Sequence, residues 1–452
     1  MTDTSPQDRT EARLHSLSNA LESGAFLPVR RMLNTLHAAE VAHLLESMPP
    51  KERHVLWGLL REERHGDILQ YLGEEVRAAF LREMDPQALA AATEGLDVDD
   101  IVDILQDLPG AVIHEVLQSM DEQDRQRVAK ALSYDEDTAG GLMNTDTLTV
   151  RADVTLDVVL RYLRLRGEIP EMTDNLIVVD RQDNYLGVLP LSDLLTRDPD
   201  LSVGEVMNTE VKPMPAELTA SEVAARFERM DLVSSPVVDA SGRLIGRITV
   251  DDVVDVIRDE AEHSLLGMAG LGEDEDTFAP ILPSARRRAV WLGINLLTAF
   301  AAAWVIGLFE KTIAQVVALA VLMPIVASMG GIAGSQTLTL AIRAMALGQL
   351  VESNVRWLVF KELAVVALNS LVWAAVVAAV AVWWFGDPRL GWLIAAAIVI
   401  NLVIAALSGV LLPLAMRRMG IDPALAGSVV LTTVTDVVGF FAFLGLATLF
   451  LL

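Results

Sequence analysis

Residues 424–451 read ALAGSVVLTTVTDVVGFFAFLGLATLFL, a stretch with no basic residue and one acid, Asp436. A run of this length and apolarity spans the hydrocarbon core of a bilayer as an α-helix, which needs about 20 such residues. Asp436 lies almost midway between Ala424 and Phe450, at a depth where a charge costs about 2.5–3.5 kcal/mol on insertion scales. Residues of this kind mark ion pathways; the alternative is a protonated, structural aspartate. Thr432, Thr433 and Thr435 sit beside it, with Ser428 one turn before them. Hydroxyls so close suit a water-filled lining better than lipid.

Upstream of that stretch, residues 284–423 hold four further apolar runs, so five spans are expected near 288–309, 312–342, 363–385, 391–416 and 424–451. No other acid falls inside the spans so drawn. Arg286, Arg287, Arg288, Arg343, Arg356, Lys361, Arg417 and Arg418 flank the spans on one side, and only Lys311 and Arg389 on the other. Positive residues favour the cytoplasm, which puts the N-terminal half inside and Leu452 outside. The second span is unusually polar, with Pro324, Ser328, Gly330, Gly331, Gly334, Ser335, Gln336, Thr337 and Thr339. One reading is an unwound stretch whose carbonyls serve a hydrated ion, tolerated where it lines a cavity. The other is close helix packing through the small-xxx-small pair Gly330 and Gly334.

The rest of the chain differs sharply. Of 452 residues, 35 are Lys or Arg and 61 Asp or Glu; only 10 and 6 of these follow Ser284, so residues 1–283 carry a net −30. Such a field repels nucleic-acid phosphates and attracts cations. Residues 1–20 lack the apolar core of a signal peptide, in keeping with a cytoplasmic N-terminal half. There is no cysteine, and all seven histidines precede the spans, so soft and borderline metals lack their usual ligands there. Carboxylate, hydroxyl, carbonyl and retained water suit magnesium, which dehydrates reluctantly.

Within the acidic half a unit repeats. Val178-Val179-Asp180 and Val237-Val238-Asp239 are 59 apart, as are Gly187 and Gly246, and Asp193 and Asp252. Each copy reads as strand, turn, strand, then a helix starting near the aspartate. Met143-Asn144-Thr145 and Met207-Asn208-Thr209 recur 64 apart. This pair resembles tandem CBS domains; Thr249-x-x-Asp252 is similar to their ribose-binding motif, and Pro190 replaces the threonine in the first copy. Residues 1–133 look all-helical, with Val41, Leu44, Leu45, Met48 and Ile101, Ile104, Leu105, Leu108 on helical spacing. Ala38–Pro49 resembles Val98–Pro109 at a shift of 60, which suggests repeated helical hairpins.

Acids crowd two helix starts. Asp97, Asp99, Asp100, Asp103 and Asp107 form one cluster; Asp251, Asp252, Asp255, Asp259, Glu260 and Glu262 form the other. Asp99/Asp103 and Asp251/Asp255 are i,i+4 pairs that repel, by about 3 kcal/mol at 6 Å and an effective dielectric near 20. A bound divalent cation would reverse the sign; a solvated acidic face is the alternative. The glycines of 267–272 lack dinucleotide-fingerprint spacing and mark a joint before the acids 273–276. P-loop, nucleophile-elbow and zinc motifs are absent, and no enzymatic reading has support.

Taken in order, Tyr134-Asp135-Glu136-Asp137-Thr138-Ala139-Gly140-Gly141-Leu142-Met143, the CBS pair, Pro324 through Gln336, and Asp422-Pro423-Ala424 followed by Thr432 to Gly439 resemble the MgtE family of magnesium channels over nearly the whole chain. The resemblance implies a homodimer in the cytoplasmic membrane, with a pore lined by the second and fifth spans. It implies that Asp436 selects the hydrated ion with Gly330, Gly331, Thr432 and Thr435 around it, and that Asp422 is a further ion contact. It further implies that Mg2+ bridges Asp99 and Asp103, Asp231 and Asp252, and Asp255 and Glu260, holding a connecting helix that closes the pore, and that ATP binds the CBS pair at Thr249 and Asp252. Two departures are visible: Ile332 follows Gly330-Gly331 where the family has asparagine, and His263 and Ser264 stand where it often has acids.

The expected architecture is multidomain: an all-α helical-repeat domain over 1–133, α/β CBS domains over 134–200 and 201–260, a connecting plug-like helix and linker over 261–285, and an α-helical membrane domain over 286–452. The expected function is passive magnesium uptake shut by cytoplasmic magnesium. A cation-coupled exchanger and a membrane-anchored CBS nucleotide sensor are the rivals.

Overall fold

The computed structural model describes residue 17 and residues 26–106, 108–170, 172–271, 276–351 and 353–451. The expected acids Asp107, Glu273, Asp274 and Glu275, together with Gly272, Leu452 and residues 1–16 and 18–25, lie outside the described residues. The chain divides into two compact units, Met1–Glu260 with Asp274–Pro280, and Ala261–Glu273 with Ile281–Leu452.

The first unit begins with short helices: α1 (Phe26–Leu33), α2 (Ala38–Glu46), α3 (Pro50–Trp57), α4 (His65–Leu69), α5 (Glu74–Leu81), α6 (Pro86–Thr93), α7 (Val98–Gln106), α8 (Gly110–Ser119) and α9 (Glu122–Ala131). None reaches the ~12–15 residues that let a helix persist alone, so packing must hold them. The apolar positions supply it: Val41, Leu44, Leu45, Met48, Ile101, Ile104, Leu105 and Leu108 are all buried in one core. The starts are written locally. His37 and Glu40 form a capping box for α2, Asp85 caps α6, and Pro50 and Pro86 occupy first-turn positions of α3 and α6.

The repeat forms two small sheets. β1 (Thr149–Arg151) pairs parallel with β2 (Asn175–Val179), which pairs antiparallel with β3 (Tyr185–Pro190); β4 (Met214–Pro215), β5 (Ser234–Val238) and β6 (Leu244–Thr249) repeat that order. Helices α10 (Leu156–Arg166), α11 (Leu191–Thr196), α12 (Val203–Val206) and α13 (Ala220–Met230) complete the pair. The Met-Asn repeats cross over. Asn144 exchanges backbone hydrogen bonds with Arg247 of β6 at 2.8 and 2.9 Å, and Asn208 does so with Val188 of β3 at 2.7 and 3.0 Å. Each lies against the repeated glycine: a β-carbon at Gly246 would stand 2.8 Å from the Asn144 carbonyl oxygen, and one at Gly187 would stand 2.7 Å from that of Asn208. Ala139 and Met143 therefore belong to the core of the second sheet, although they precede the first.

Helix α14 (Val250–Met268) runs unbroken from the end of β6, so the domain limit expected at 260/261 falls inside one helix. The second unit holds α15 (Ile281–Leu308), the short α16 (Glu310–Gln315), α17 (Ala318–Ala346), α18 (Val355–Phe385), α19 (Pro388–Arg418) and α20 (Pro423–Phe450). Five of these are long and apolar enough to cross a membrane; 28–31 residues at 1.5 Å each make about 42–47 Å. α19 is the most enclosed, burying Ile394, Ala397, Ile398, Asn401, Leu402 and Ala405 against its neighbours. Two expectations are corrected. The second span does not start at 312, because Val316 leaves helical geometry and separates α16 from α17. Nor does it unwind, since α17 is continuous through Pro324 and the glycines. Gly330, Gly334 and Gly409 instead sit where a β-carbon would strike a neighbouring helix, which is the small-residue packing alternative.

Candidate functional site

A groove of about 930 Å3 runs between α17 and α20. Ser328, Gly331, Ile332, Ser335, Gln336 and Thr339 line it from α17, at the three- and four-residue spacing of one helix face, and Thr432 and Asp436 line it from α20. Asp436 is half-buried and has no hydrogen-bond or ion-pair partner among the described residues. Thr432 gives its hydroxyl proton to the Ser428 carbonyl at 2.8 Å, leaving its oxygen lone pairs available. The groove thus offers one carboxylate, several hydroxyls and a side-chain amide, all oxygen or nitrogen dipoles and no soft ligand.

Two expected groove residues lie elsewhere. Thr435 is fully buried and donates to the Thr432 carbonyl at 3.0 Å; being one position before Asp436, it faces the bundle when Asp436 faces the groove. Gly330 is buried against the Asn401 side chain of α19, while Gly331 is open to the groove, and a β-carbon there would meet nothing within 4 Å. Ile332, more than half exposed, puts an apolar side chain on the lining.

At the Asp422 end of these helices the last turns of α14 lie close. Met268 accepts a 3.3 Å hydrogen bond from Ser428 at its carbonyl, and its sulfur is 3.9 Å from the Thr339 hydroxyl. Asp422 caps α20 through the Ala424 N–H at 2.9 Å and meets His263 Nε2 at 2.7 Å. His263 therefore contacts the very carboxylate expected to touch an ion.

One acid escaped the sequence reading. Glu362 lies in α18, which begins at Val355, not near 363. It is buried, paired with Lys361 Nζ at 2.7 Å, and accepts from Thr337 of α17 at 3.1 Å. Its place directly after a lysine, at the edge of the apolar run, disguised it as a flank. Asn401, wholly buried, was also missed; a lone amide within an apolar run was its only signal.

In the first unit the two acidic helix starts come together. Asp99 of α7 accepts from the Asn144 side chain at 3.1 Å, and Asp252 of α14 accepts from the Thr249 N–H and hydroxyl at 3.3 and 3.1 Å. Burial first, then the Asp252, Asp100 and Asp97 charges, hold the Asp99 carboxyl well above its ordinary range. Burial, then Asp103, Asp97, Asp251 and Asp255, push Asp100 up to about 7; burial and Asp251 push Asp252 to about 7 against the Thr249 hydrogen bonds. Asp255 is raised by burial too, although Arg258 lies 3.1 Å away. Asp103 is exposed beside them. Asp231 is elsewhere, an exposed left-handed cap of α13 with φ 50°, and Glu260 bonds Ser221. Among the described residues no three acidic or imidazole groups converge closely enough to hold one ion. The donor set nonetheless fits a hydrated hard cation, which binds through one or two carboxylates and keeps its water.

Comparison with known proteins follows the same division. The family described as a divalent cation transporter, MgtE, matches residues 323–446; the MgtE intracellular N domain matches 36–137, and CBS domains match 139–200 and 203–259. The chain is 32% identical to the magnesium transporter MgtE of Thermus thermophilus, covering 96% of this chain and 98% of that protein. It is 28% identical to the magnesium transporter MgtE of Bacillus subtilis, covering 95% and 96%. A crystal structure of the cytosolic domain of the Mg2+ channel MgtE in complex with ATP is 34% identical over 54% of this chain and 99% of that one, with a TM-score of 0.49. With its helical domain, CBS pair and five long apolar helices in the matching order, the chain belongs to the MgtE family of divalent cation transporters.

Proposed function

We propose that this chain is a magnesium channel whose permeation path is the groove between α17 and α20, with Asp436 as its ion-selecting carboxylate. The observation that carries the reading is Asp436 itself: a carboxylate at mid-span on the groove, beside Thr432 and opposite Ser335 and Gln336. A group so placed is stabilised best by a cation and its water. Magnesium is the ion because relatives matching nearly full length are named magnesium transporters and because the donors are hard. Asp422 serves as a second ion contact nearer the connecting helix.

Two copies complete the pore, each giving one groove. The exposed apolar positions Val158, Tyr162 and Leu165 on one face of α10 suit a second copy in the soluble half. The N-terminal half lies in the cytoplasm and the C-terminus outside. Regulation resides in the Asp99, Asp100, Asp103, Asp252 and Asp255 cluster. Magnesium there relieves the repulsion and keeps α7 against α14; as magnesium falls, the acids repel and α14 loses that support. Met268, touching both pore helices, is the point where α14 closes the groove. Nucleotide binding belongs to the second CBS unit at Thr249 and Asp252, and titration with ATP tests it.

The test is magnesium flux into proteoliposomes as magnesium on the soluble-domain side is raised. The proposal expects flux that falls with that concentration and needs no counter-gradient of protons or sodium. Flux tied to such a gradient would establish an exchanger, and no flux under any condition would leave a sensor with a membrane anchor.

A further inference from the structure

The two helices that line the groove both press on one buried side chain of a third. Asn401 of α19 is fully buried, and its Nδ2 donates to the Val326 carbonyl of α17 at 2.8 Å. The carboxamide lies between two glycines. A β-carbon at Gly330 of α17 would collide with Asn401 Nδ2, and one at Gly439 of α20 would stand 2.7 Å from Nδ2 and 2.9 Å from Cγ. Both helices therefore approach α19 only because each presents a bare backbone to this amide. Its Oδ1 is buried with no donor in hydrogen-bond reach among the described residues, a penalty that an apolar residue of similar size would avoid.

The level of this contact matters. Gly330 is adjacent to Gly331 on the groove lining, and Gly439 is three positions, about 4.5 Å of helix rise, beyond Asp436. The amide thus meets α17 at the height of the carboxylate on the side away from the groove, and meets α20 within one turn of Asp436. We infer that Asn401 is the positioning residue of the permeation path, setting the separation between Asp436 and the polar face of α17 through its seat between Gly330 and Gly439. This rests on the reading of the groove as the magnesium path. It assigns Gly330 the role of a socket, in place of an ion contact.

Asn401→Leu, Asn401→Ala and Gly439→Ala in the full chain test it, the last pressing a β-carbon on the amide from α20 while leaving Asn401 itself in place. The readouts are the ratio of magnesium to calcium flux in proteoliposomes and the melting temperature of each purified variant. An ion site held to within a fraction of an ångström loses about tenfold or more in discrimination when its walls shift. The expected result is that fall in the flux ratio for folded Asn401→Leu and for Gly439→Ala, with Asn401→Ser, which keeps a donor for Val326, closer to the wild type. Folded variants that melt earlier yet keep the wild-type ratio would overturn the inference and leave Asn401 as helix glue alone. A wild-type protein whose flux does not depend on Asp436 would instead overturn the underlying reading, and this inference with it.

Discussion

Asp436 and Glu362 are both carboxylates within long apolar helices, yet their surroundings assign them opposite roles. Asp436 faces a groove with no protein partner among the described residues, so its charge is available to an ion. Glu362 is buried and held by Lys361 and Thr337, so its charge is already committed to the fold. Replacing Glu362 by alanine strands Thr337 and Lys361, a loss of about 1–3 kcal/mol for a buried hydrogen-bonded group. Thermal unfolding of the detergent-solubilised protein should show a lower midpoint, while flux per folded molecule keeps its response to magnesium. Asp436 was legible in the sequence because it sits in the middle of a span. Glu362 was not, because the lysine before it made the helix appear to begin one residue later.

Among elements, the proposed regulation rests on α7 and α14. Their acids hold raised pKa values where the helices meet, with Asp100 and Asp252 at about 7. Such groups bind more protons in the docked state than apart, so the contact is strongest below their ordinary range near 4 and weakens as pH rises towards 7. In a chelator-treated full-length protein, the protection factors of α7 amides, taken against the intrinsic exchange rate at each pH, should be high at pH 5 and low at pH 7.5, and magnesium should restore them at pH 7.5. Asp99→Asn with Asp252→Asn should keep them high at both pH values without magnesium. Equal protection factors of the native chain at both pH values would remove these acids from the control of docking. The two acidic runs were visible as clusters at helix starts, but their meeting was not. Nothing local in the chain says that Asp99 reaches Asn144, whose own strand position depends on the crossover to β6. The crossover gives each repeated glycine the asparagine of the other copy, and the 59- and 64-residue spacings differ because the first copy carries five extra residues between its Met-Asn pair and its glycine.

Across the whole molecule, one buried ion pair ties distant segments together. Arg53 of α3 donates to the carbonyls of Leu45 and Met48 and meets Asp276 at 2.9 Å, with side-chain exposures of 3% and 7%. The Asp276 N–H in turn donates to Glu75 at 2.7 Å. Asp276 stands five residues before α15, so the helical domain grips the chain just ahead of the first long apolar helix. Asp276→Ala leaves the guanidinium buried without its carboxylate, which costs about 3–5 kcal/mol. Calorimetry of the purified full chain should show the soluble transition at a temperature lower by roughly 5–10 °C, and an unchanged transition would contradict this. The division into helical domain, CBS pair and five spans followed from charge distribution, a 59-residue repeat and apolar run length, all properties of sequence alone. The break at Val316 and the unbroken α17 did not follow from it. The continuity of α17 depends on which neighbours its glycines pack against, and composition within a window holds no record of that.

The most direct measurement is single-channel or proteoliposome magnesium flux of the full chain beside Asp436→Asn, with low magnesium on the soluble-domain side so that the path is open. Asparagine keeps the size and hydrogen-bonding capacity of the side chain and removes only its charge. The account predicts that magnesium flux falls to background, or loses its preference over larger divalent ions, while the melting temperature stays at the wild-type value. Wild-type magnesium flux with unchanged selectivity in the folded variant would contradict it and move the ion path away from the groove.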